Sequence, residues 1–160
     1  IGMAMGVVSV TGAAFGARDK DKLKTAFLYA VKLGVIIEFL VAVVVFVFSK
    51  QISYIFTYSK DSARIMDELI IFLRIMVLIY PTVPLGMLTS AMFRGVGKGK
   101  NSLIATLLRT IILQVPFAYY LGIVLQMELI GIWIGLIAAN VIAVIITFIW
   151  GKYTVNRIIR

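Results

Sequence analysis

The sequence predicts an all-α integral membrane protein, and three observations lead to that fold class. Hydrophobic residues make up 62% of the 160 residues, and the mean hydropathy is +1.06. Soluble domains average about 45–50% apolar residues, and a soluble chain of this length has too little interior to bury so much apolar surface. In addition, the apolar residues form long runs, and the Lys and Arg residues gather in the turns between them.

Five apolar segments have the composition of membrane helices. They cover about 1–17, 25–49, 69–93, 102–125 and 130–150. A helix needs about 20 mostly apolar residues to cross a hydrocarbon core of about 30 Å, so the last four segments predict complete spans. No alternating pattern of about ten residues recurs, which argues against a transmembrane β-barrel.

The first segment is short, and the chain opens directly in apolar sequence. We therefore expect residues 1–160 to be a transmembrane fragment of a longer protein, with one partial and four full helices. Gly2 and Gly6, and likewise Gly12 and Gly16, are separated by four positions. This spacing lets helix backbones approach closely and predicts packing against a partner helix.

The composition excludes several classes of site. The chain has no Cys and no His, so it lacks thiolate metal ligands and the usual neutral-pH proton shuttle. The stretch "RGVGKGKNS" (94–102) is not a Walker motif, because Asn101 follows Gly99 and Lys100 where Ser or Thr is required. No nucleophile–base pair or metal-ligand set is visible, so we expect neither an enzyme nor a bound cofactor.

The basic residues alternate between the two ends of the predicted helices. One set of turns, together with the C-terminal tail, carries ten of them: Arg18, Lys20, Lys22, Lys24, Arg94, Lys98, Lys100, Lys152, Arg157 and Arg160. The opposite set carries three: Lys50, Lys60 and Arg64. Because cytoplasmic loops are enriched in Lys and Arg, we predict a multi-pass protein of the cell membrane with a cytoplasmic C-terminus. The net charge of +9 then reflects these loops and not a nucleic-acid partner.

The connection 50–68 is longer than a turn and amphipathic. We predict that it lies along the membrane interface, with Ile52, Ile55 and Phe56 toward lipid and the charges in water.

Four charged residues fall inside the apolar segments: Lys32, Glu38, Arg74 and Arg109. At 1.5 Å per residue, Lys32 and Arg109 lie about 12 Å from the cytoplasmic edge, within partial reach of the surface. Glu38 lies about 21 Å from the cytoplasm and Arg74 about 9 Å from the outer edge. Across a core of about 30 Å the two therefore reach nearly the same level on consecutive antiparallel helices.

Glu38 has two interpretations. In the first, it forms an ion pair with Arg74, which reduces the cost of burying both charges. In the second, it is a titratable carboxylate beside a water-filled cavity and binds a proton or a cation. Gln114 and Asn140 also fall near mid-membrane, where they either contact substrate or join helices by hydrogen bonds.

Three prolines lie inside predicted spans: Pro81 and Pro84 in segment 69–93, and Pro116 in segment 102–125. Proline removes a helix hydrogen bond and clashes with the preceding turn, so kinks or breaks are expected. Broken helices near mid-membrane line the substrate path of secondary transporters. A structural kink without a ligand is the alternative.

Several stretches, in this order, resemble the multidrug and toxic-compound extrusion (MATE) transporters. Residues 2–25 are similar to the end of the family's eighth helix. "IFTYSKDSARIMDELIIFLRI" (55–75) resembles the approach to its tenth helix, and "MFRGVGKGKNS" (92–102) resembles the loop that ends that helix. "LIGIWIGLIAAN" (129–140) resembles the opening of its twelfth helix.

The resemblance implies the C-terminal lobe of a twelve-helix, two-lobe transporter. Such proteins exchange an organic cation for Na⁺ or H⁺ by alternating between inward-open and outward-open states. Some branches carry an acidic cation ligand in the tenth helix, but "LIYPTVPLGMLTSAM" (78–92) has no acid. The coupling carboxylate is then in the N-terminal lobe, which we favour, or is Glu38.

The sequence leaves three functions open. The first is a secondary active efflux transporter for hydrophobic or cationic compounds, whose partners are small organic substrates, the lipid bilayer and the N-terminal lobe. The second is a flippase for lipid-linked saccharides of the same superfamily, which an Arg-rich cavity would favour. The third is a membrane scaffold subunit without transport, which a straight segment 69–93 would favour.

Single cysteine substitutions test the predicted orientation, because the chain has no Cys of its own. We expect Lys20→Cys and Lys98→Cys to react with a membrane-impermeant maleimide only from the cytoplasmic face, and Gln126→Cys only from outside. Labelling of the two lysine positions from opposite faces would contradict the topology.

Overall fold

The computed structural model describes residues 1–57 and 65–158, and its regular structure within those ranges is entirely helical. Six helices follow one another there: α1 (Gly2–Gly16), α2 (Lys20–Val47), α3 (Ser49–Phe56), α4 (Met66–Gly95), α5 (Gly99–Val124) and α6 (Glu128–Ile158). Four of them, α2, α4, α5 and α6, are long and apolar enough to cross a membrane. The predicted all-α membrane fold class is confirmed.

The basic turn between α1 and α2 ends one helix and starts the next. Arg18 has a φ of 56°, which turns the chain out of α1. The carboxylate of Asp19 then accepts a hydrogen bond of 2.9 Å from the backbone N–H of Lys22 and caps α2. As a result α2 begins at Lys20, ahead of the predicted start at 25. Its 28 residues extend about 42 Å, so one end projects beyond a hydrocarbon core of about 30 Å.

The middle of α4 departs from α-helical geometry. Met66–Met76 and Val83–Gly95 are α-helical, whereas Val77–Thr82 is a 3₁₀ segment that contains Pro81. Pro81 has no N–H to donate to the preceding turn, and the chain tightens around it. Pro84 lies in the first turn of the second α segment, where an N–H is not needed.

A similar irregularity surrounds Pro116 in α5. Leu108–Leu113 and Tyr120–Val124 are π-helical, and a short α-helical turn, Gln114–Tyr119, lies between them. A π segment shifts the hydrogen-bond register by one residue, which accommodates a residue that cannot donate. Across this region α6 lies very close, since a methyl group on Gly135 would be 2.8 Å from the carbonyl oxygen of Phe117.

The tightest part of the core lies near the basic turns. Leu23, Phe27, Ala91, Met92 and Phe93 are at most 1% exposed and belong to one apolar cluster that joins α1, α2, α4 and α6. The outer faces of α2, α5 and α6 instead expose many large apolar side chains. Lipid tails are as apolar as these side chains, so this arrangement is stable in a bilayer and unfavourable in water.

The glycines of α1 play different parts. A methyl group on Gly12 would lie 3.1 Å from the carbonyl oxygen of Gly95, so α1 and α4 cross almost backbone to backbone. Apart from the backbone of α1 itself, no atom of the described ranges lies within 4 Å of the same position at Gly2, Gly6 or Gly16. Among the described residues, therefore, the predicted close packing is made by Gly12.

Helix α3 turns small polar residues toward the rest of the protein. Ser49 and Ser53 are fully buried, whereas Ile55 and Phe56 are each 73% exposed. This leaves the large apolar side chains available to lipid, as an interfacial helix requires. Residues 58–64 of the predicted connection, with Lys60 and Arg64, lie outside the described residues, as does Arg160 of the tail, whereas Met66–Glu68 at its end already belong to α4.

Gly34 is a sensitive test of how α2 and α4 fit together. A Cβ at this position would lie 2.8 Å from the Cβ of Pro84 and 3.2 Å from Cδ1 of Leu88. We expect Gly34→Ala to reduce the free energy of unfolding by about 1–3 kcal/mol because the site is already full. Thermal or denaturant unfolding of the intact protein in detergent measures the effect.

Gly16→Ala is the matched control, since nothing surrounds that position and alanine is the better helix former. Equal stability of the two variants would mean that α2 and α4 are not in contact at Gly34.

Candidate functional site

The close approach of Gly34 and Pro84 forms one wall of a small cavity, which we call the kink cavity. Its volume is about 80 Å³. Residues from α1, α2 and α4 line it: Ile1, Met3, Ala4, Gly34, Ile37, Glu38, Val83, Pro84, Met87 and Leu88. The cavity therefore lies directly beside the point where the 3₁₀ segment of α4 returns to α-helix.

Of the described residues that line the cavity, Glu38 alone has an ionisable side chain. It is half-buried and lies one helical turn after Gly34, so the contact between Gly34 and Pro84 fixes its distance from α4. A carboxylate in an apolar cavity needs a proton, a cation or water to offset its desolvation. Within the described ranges Glu38 has neither an ion-pair partner nor a hydrogen-bond partner.

The ion pair predicted between Glu38 and Arg74 is absent from the described structure. Instead the Nε–H of Arg74 donates a hydrogen bond of 3.1 Å to Oγ of Ser49. The guanidinium carbon also lies 5.6 Å from the centre of the Phe46 ring. Ser49 is eleven positions beyond Glu38, about 16 Å further along the chain at a helical rise.

The physical reason for this correction is the direction of helical side chains. Side chains in an α-helix lean toward its N-terminus. The N-terminal end of α4 packs beside α3, so the long Arg74 side chain extends toward Ser49 and away from the level of Glu38. A count of residues gives the depth of a Cα atom and omits this displacement.

Arg109 lies between three helices. A methyl group on Gly86 of α4 would be 3.2 Å from one terminal nitrogen of Arg109 and 3.0 Å from Cγ2 of Val144 in α6. The guanidinium thus occupies space that any side chain at position 86 would fill. In the described parts of the chain no carboxylate pairs with it, although it is half-buried.

Asn140 lies one turn before Val144 on α6 and is 7% exposed. Its Oδ1 atom is buried and has no hydrogen-bond partner in the structure. A buried acceptor of this kind costs about 1–3 kcal/mol unless a donor reaches it. Gln114 is half-buried on α5, and no hydrogen bond joins Gln114 to Asn140.

The predicted site residues therefore do not converge on one point. Glu38 and Pro84 share the kink cavity, Arg109 and Asn140 both lie near Val144, and Arg74 lies apart beside α3. Sequence reasoning missed Gly34, Gly86 and Ser49, each of which positions a functional candidate. The signal that could have found the two glycines is a small residue facing a proline or an arginine on another helix. That signal can be used only when it is known which helices are neighbours. The described residues contain no group of three or more potential metal-ligating side chains.

Four membrane-length helices, one of them interrupted beside a half-buried carboxylate, define a multi-pass helical membrane protein. The MatE family model matches residues 1–120. The chain belongs to this family, the MATE multidrug-resistance membrane transporters.

Relatives at the level of sequence and structure agree with this assignment. The "Probable multidrug resistance protein YoeA" of Bacillus subtilis (strain 168) is 23% identical to the chain over 165 residues. A multidrug resistance MATE family transporter in an inward-facing conformation is 42% identical, with a TM-score of 0.95 over 99% of the chain. A MOP superfamily transporter from Pyrococcus furiosus is also 42% identical, with a TM-score of 0.96 over 99% of the chain.

The chain is much shorter than these relatives. It covers 35% of the Bacillus protein, 36% of the inward-facing transporter and 35% of the Pyrococcus transporter. About two thirds of each of these proteins therefore lies outside the part that matches this chain.

The hydrogen bond between Arg74 and Ser49 is open to a double-mutant cycle. We expect Ser49→Ala and Arg74→Gln to be coupled by about 1 kcal/mol, because each removes the same charged hydrogen bond. Unfolding of the four proteins in detergent measures the coupling. The control is Ser53→Ala, which removes a buried hydroxyl oxygen with no partner and is expected to leave stability unchanged or slightly raised. Zero coupling would contradict the contact.

Proposed function

We propose that the protein is a secondary active efflux transporter that exports hydrophobic, often cationic, compounds in exchange for H⁺ or Na⁺. The observation that carries this proposal is Glu38, a half-buried carboxylate without a cationic partner among the described residues, beside the interrupted part of α4. An ionisable side chain inside the membrane is by default a candidate functional site, because its charge is costly to bury.

The substrate class is supported by the relatives. The Bacillus protein is described as a probable multidrug resistance protein, and the solved transporters of 42% and 44% identity are described as multidrug resistance transporters. The kink cavity, at about 80 Å³, is too small for a drug-sized compound, but its wall of Met3, Met87 and Leu88 beside the carboxylate of Glu38 combines apolar surface with one negative charge.

Alternating access is supported by two kinds of observation. Relatives with TM-scores of 0.95 and 0.93 to this chain are described as inward-facing and outward-facing, so this fold occurs in both states. Within this chain, Val77–Thr82 supplies a segment with fewer α-helical hydrogen bonds, around which α4 bends at low cost. Pro116, between the two π segments of α5, provides a second such place.

The sequence alone favoured a coupling carboxylate in the N-terminal lobe. Because Glu38 lies in the kink cavity without a cationic partner among the described residues, this proposal instead gives Glu38 the link between the ion and the conformation. Binding of H⁺ or Na⁺ removes its uncompensated charge and favours a narrow kink cavity, whereas the charged form favours a cavity opened to water. Because Pro84 forms the facing wall, narrowing or opening of the kink cavity moves the start of the α-helical segment that follows the 3₁₀ turn. The proposed transporter needs no cofactor other than the coupling ion, and it has no catalytic residues. Its basic turns and its C-terminus face the cytoplasm.

One observation favours the flippase for lipid-linked saccharides as a second candidate. Arg109 offers an unpaired guanidinium between α4, α5 and α6, and phosphate groups are natural ligands for it. The Pyrococcus relative is described as having a binding pocket of reverse polarity that suggests a different function. The interrupted α4 gives the scaffold hypothesis less support than either transport function.

Replacement of Glu38 by Gln tests the main proposal. The variant keeps the size of the side chain and removes its charge, so we expect ion-driven efflux of a cationic dye to fall at least about tenfold with little loss of stability. Transport into proteoliposomes under an imposed H⁺ or Na⁺ gradient is the measurement.

Glu68→Gln, an exposed change of the same kind in the first turn of α4, is the control and is expected to transport normally. Normal ion-driven efflux by Glu38→Gln would remove Glu38 from the mechanism. Movement of a lipid-linked phosphate compound that depends on Arg109, without efflux of cationic dyes, would favour the flippase.

A further inference from the structure

We infer that a cavity between the start of α2 and the end of α6, here called the basic cavity, binds the headgroup of an anionic phospholipid. Its volume is about 420 Å³. It is lined by Lys24, Phe27, Leu28, Lys152, Val155 and Asn156. The inference is independent of the transport mechanism and of the kink cavity.

The lining has the chemistry that a phosphodiester requires. Lys24 and Lys152 come from different helices, so two ammonium groups flank one space, and Asn156 adds an amide that donates hydrogen bonds. Among residues 1–57 and 65–158, no acidic side chain lines the cavity. In the part of the chain that the structure describes, neither lysine forms an ion pair, so both charges remain available to a ligand.

The other half of the lining is apolar and rigid. Phe27 and Val155 are each 1% exposed and form part of the core. The Phe27 ring lies 6.0 Å from the Phe148 ring, and Nζ of Lys152 lies 5.8 Å from the centre of the latter. The aromatic pair therefore holds one ammonium group at the edge of the cavity and offers an apolar wall to acyl carbons.

The position along the helices corresponds to the headgroup level. Residues 129–151 of α6 contain no charged side chain and extend about 34 Å at a helical rise, slightly more than a hydrocarbon core of about 30 Å. Lys152 follows this stretch directly. Trp150 and Tyr153 flank it, and such residues favour the membrane interface. A free phosphate ion would use the lysines alone, whereas a lipid also uses the apolar wall, so the lining favours the lipid.

The opposite end of the bundle provides a contrast. A pocket of about 160 Å³ between α4 and α6 is lined by Glu68 and Glu128 together with Trp133 and apolar residues. Two carboxylates repel an anionic headgroup. The preference for anionic lipid is therefore expected at one end of the protein, at a place where two helices meet. Basic pockets between membrane helices are a recognised way to bind such headgroups.

Competition between lipids tests the inference on the intact protein. The protein is delipidated, offered phosphatidylglycerol and phosphatidylcholine in equal amounts, and analysed by native mass spectrometry for retained lipid. We expect the wild-type protein to prefer phosphatidylglycerol, and Lys24→Gln with Lys152→Gln to lower that preference on the order of tenfold. A matching rise in the melting temperature with phosphatidylglycerol is expected for the wild type and not for this double variant.

Two further double variants make the result specific. Lys98→Gln with Lys100→Gln removes the same charge from another exposed basic turn and is expected to keep the preference. Lys24→Arg with Lys152→Arg keeps both charges and is also expected to retain it. Three outcomes would overturn the inference: equal retention of phosphatidylcholine by the wild type, an equal loss in both Lys→Gln double variants, or an equal rise in melting temperature with inorganic phosphate alone.

Discussion

The structure depends on the cost of an unsatisfied polar group in hydrocarbon. Every backbone N–H and C=O inside a membrane must be paired within the protein, and a helix achieves this without help from other segments. The long helices of this chain follow from that requirement, and so does the backbone geometry around its prolines. Where Pro81 and Pro116 withhold an N–H, the chain forms 3₁₀ or π turns that continue to pair the remaining groups. The helices are interrupted without being broken open, which leaves places that bend inside otherwise rigid elements.

The same cost governs the charged side chains, and each reaches a different solution. Arg74 extends toward the N-terminal end of α4, where it donates a hydrogen bond to Ser49 and lies over the Phe46 ring. Arg109 occupies the space left by a glycine between three helices. Glu38 lies beside the kink cavity without a cationic partner among the described residues, and this is why we propose it as the ion-binding group.

The fold could be predicted from the sequence to a large extent, because length and hydropathy alone locate helices in a membrane. The predicted segments 25–49, 69–93, 102–125 and 130–150 correspond to α2, α4, α5 and α6. The ends were less predictable: α6 continues to Ile158 because a charged residue stops burial in lipid but does not stop a helix. The site was predicted only in part. Residue types pointed to Glu38, Arg109 and the prolines, but the direction of Arg74 and the packing of Gly34 on Pro84 depend on which helices are neighbours. A single sequence does not contain that information in readable form.

The proximity of Gly86 and Arg109 has a consequence for how this protein tolerates change. The guanidinium lies where a Cβ at position 86 would point, so the two positions share one volume although they are on different helices. A larger residue at 86 displaces the arginine, and a shorter residue at 109 removes one of the two close contacts of a methyl group at 86, the other being with Cγ2 of Val144. Substitutions at the two positions are therefore epistatic: the effect of either depends on which residue occupies the other, and a double replacement is expected to be milder than the sum of its parts.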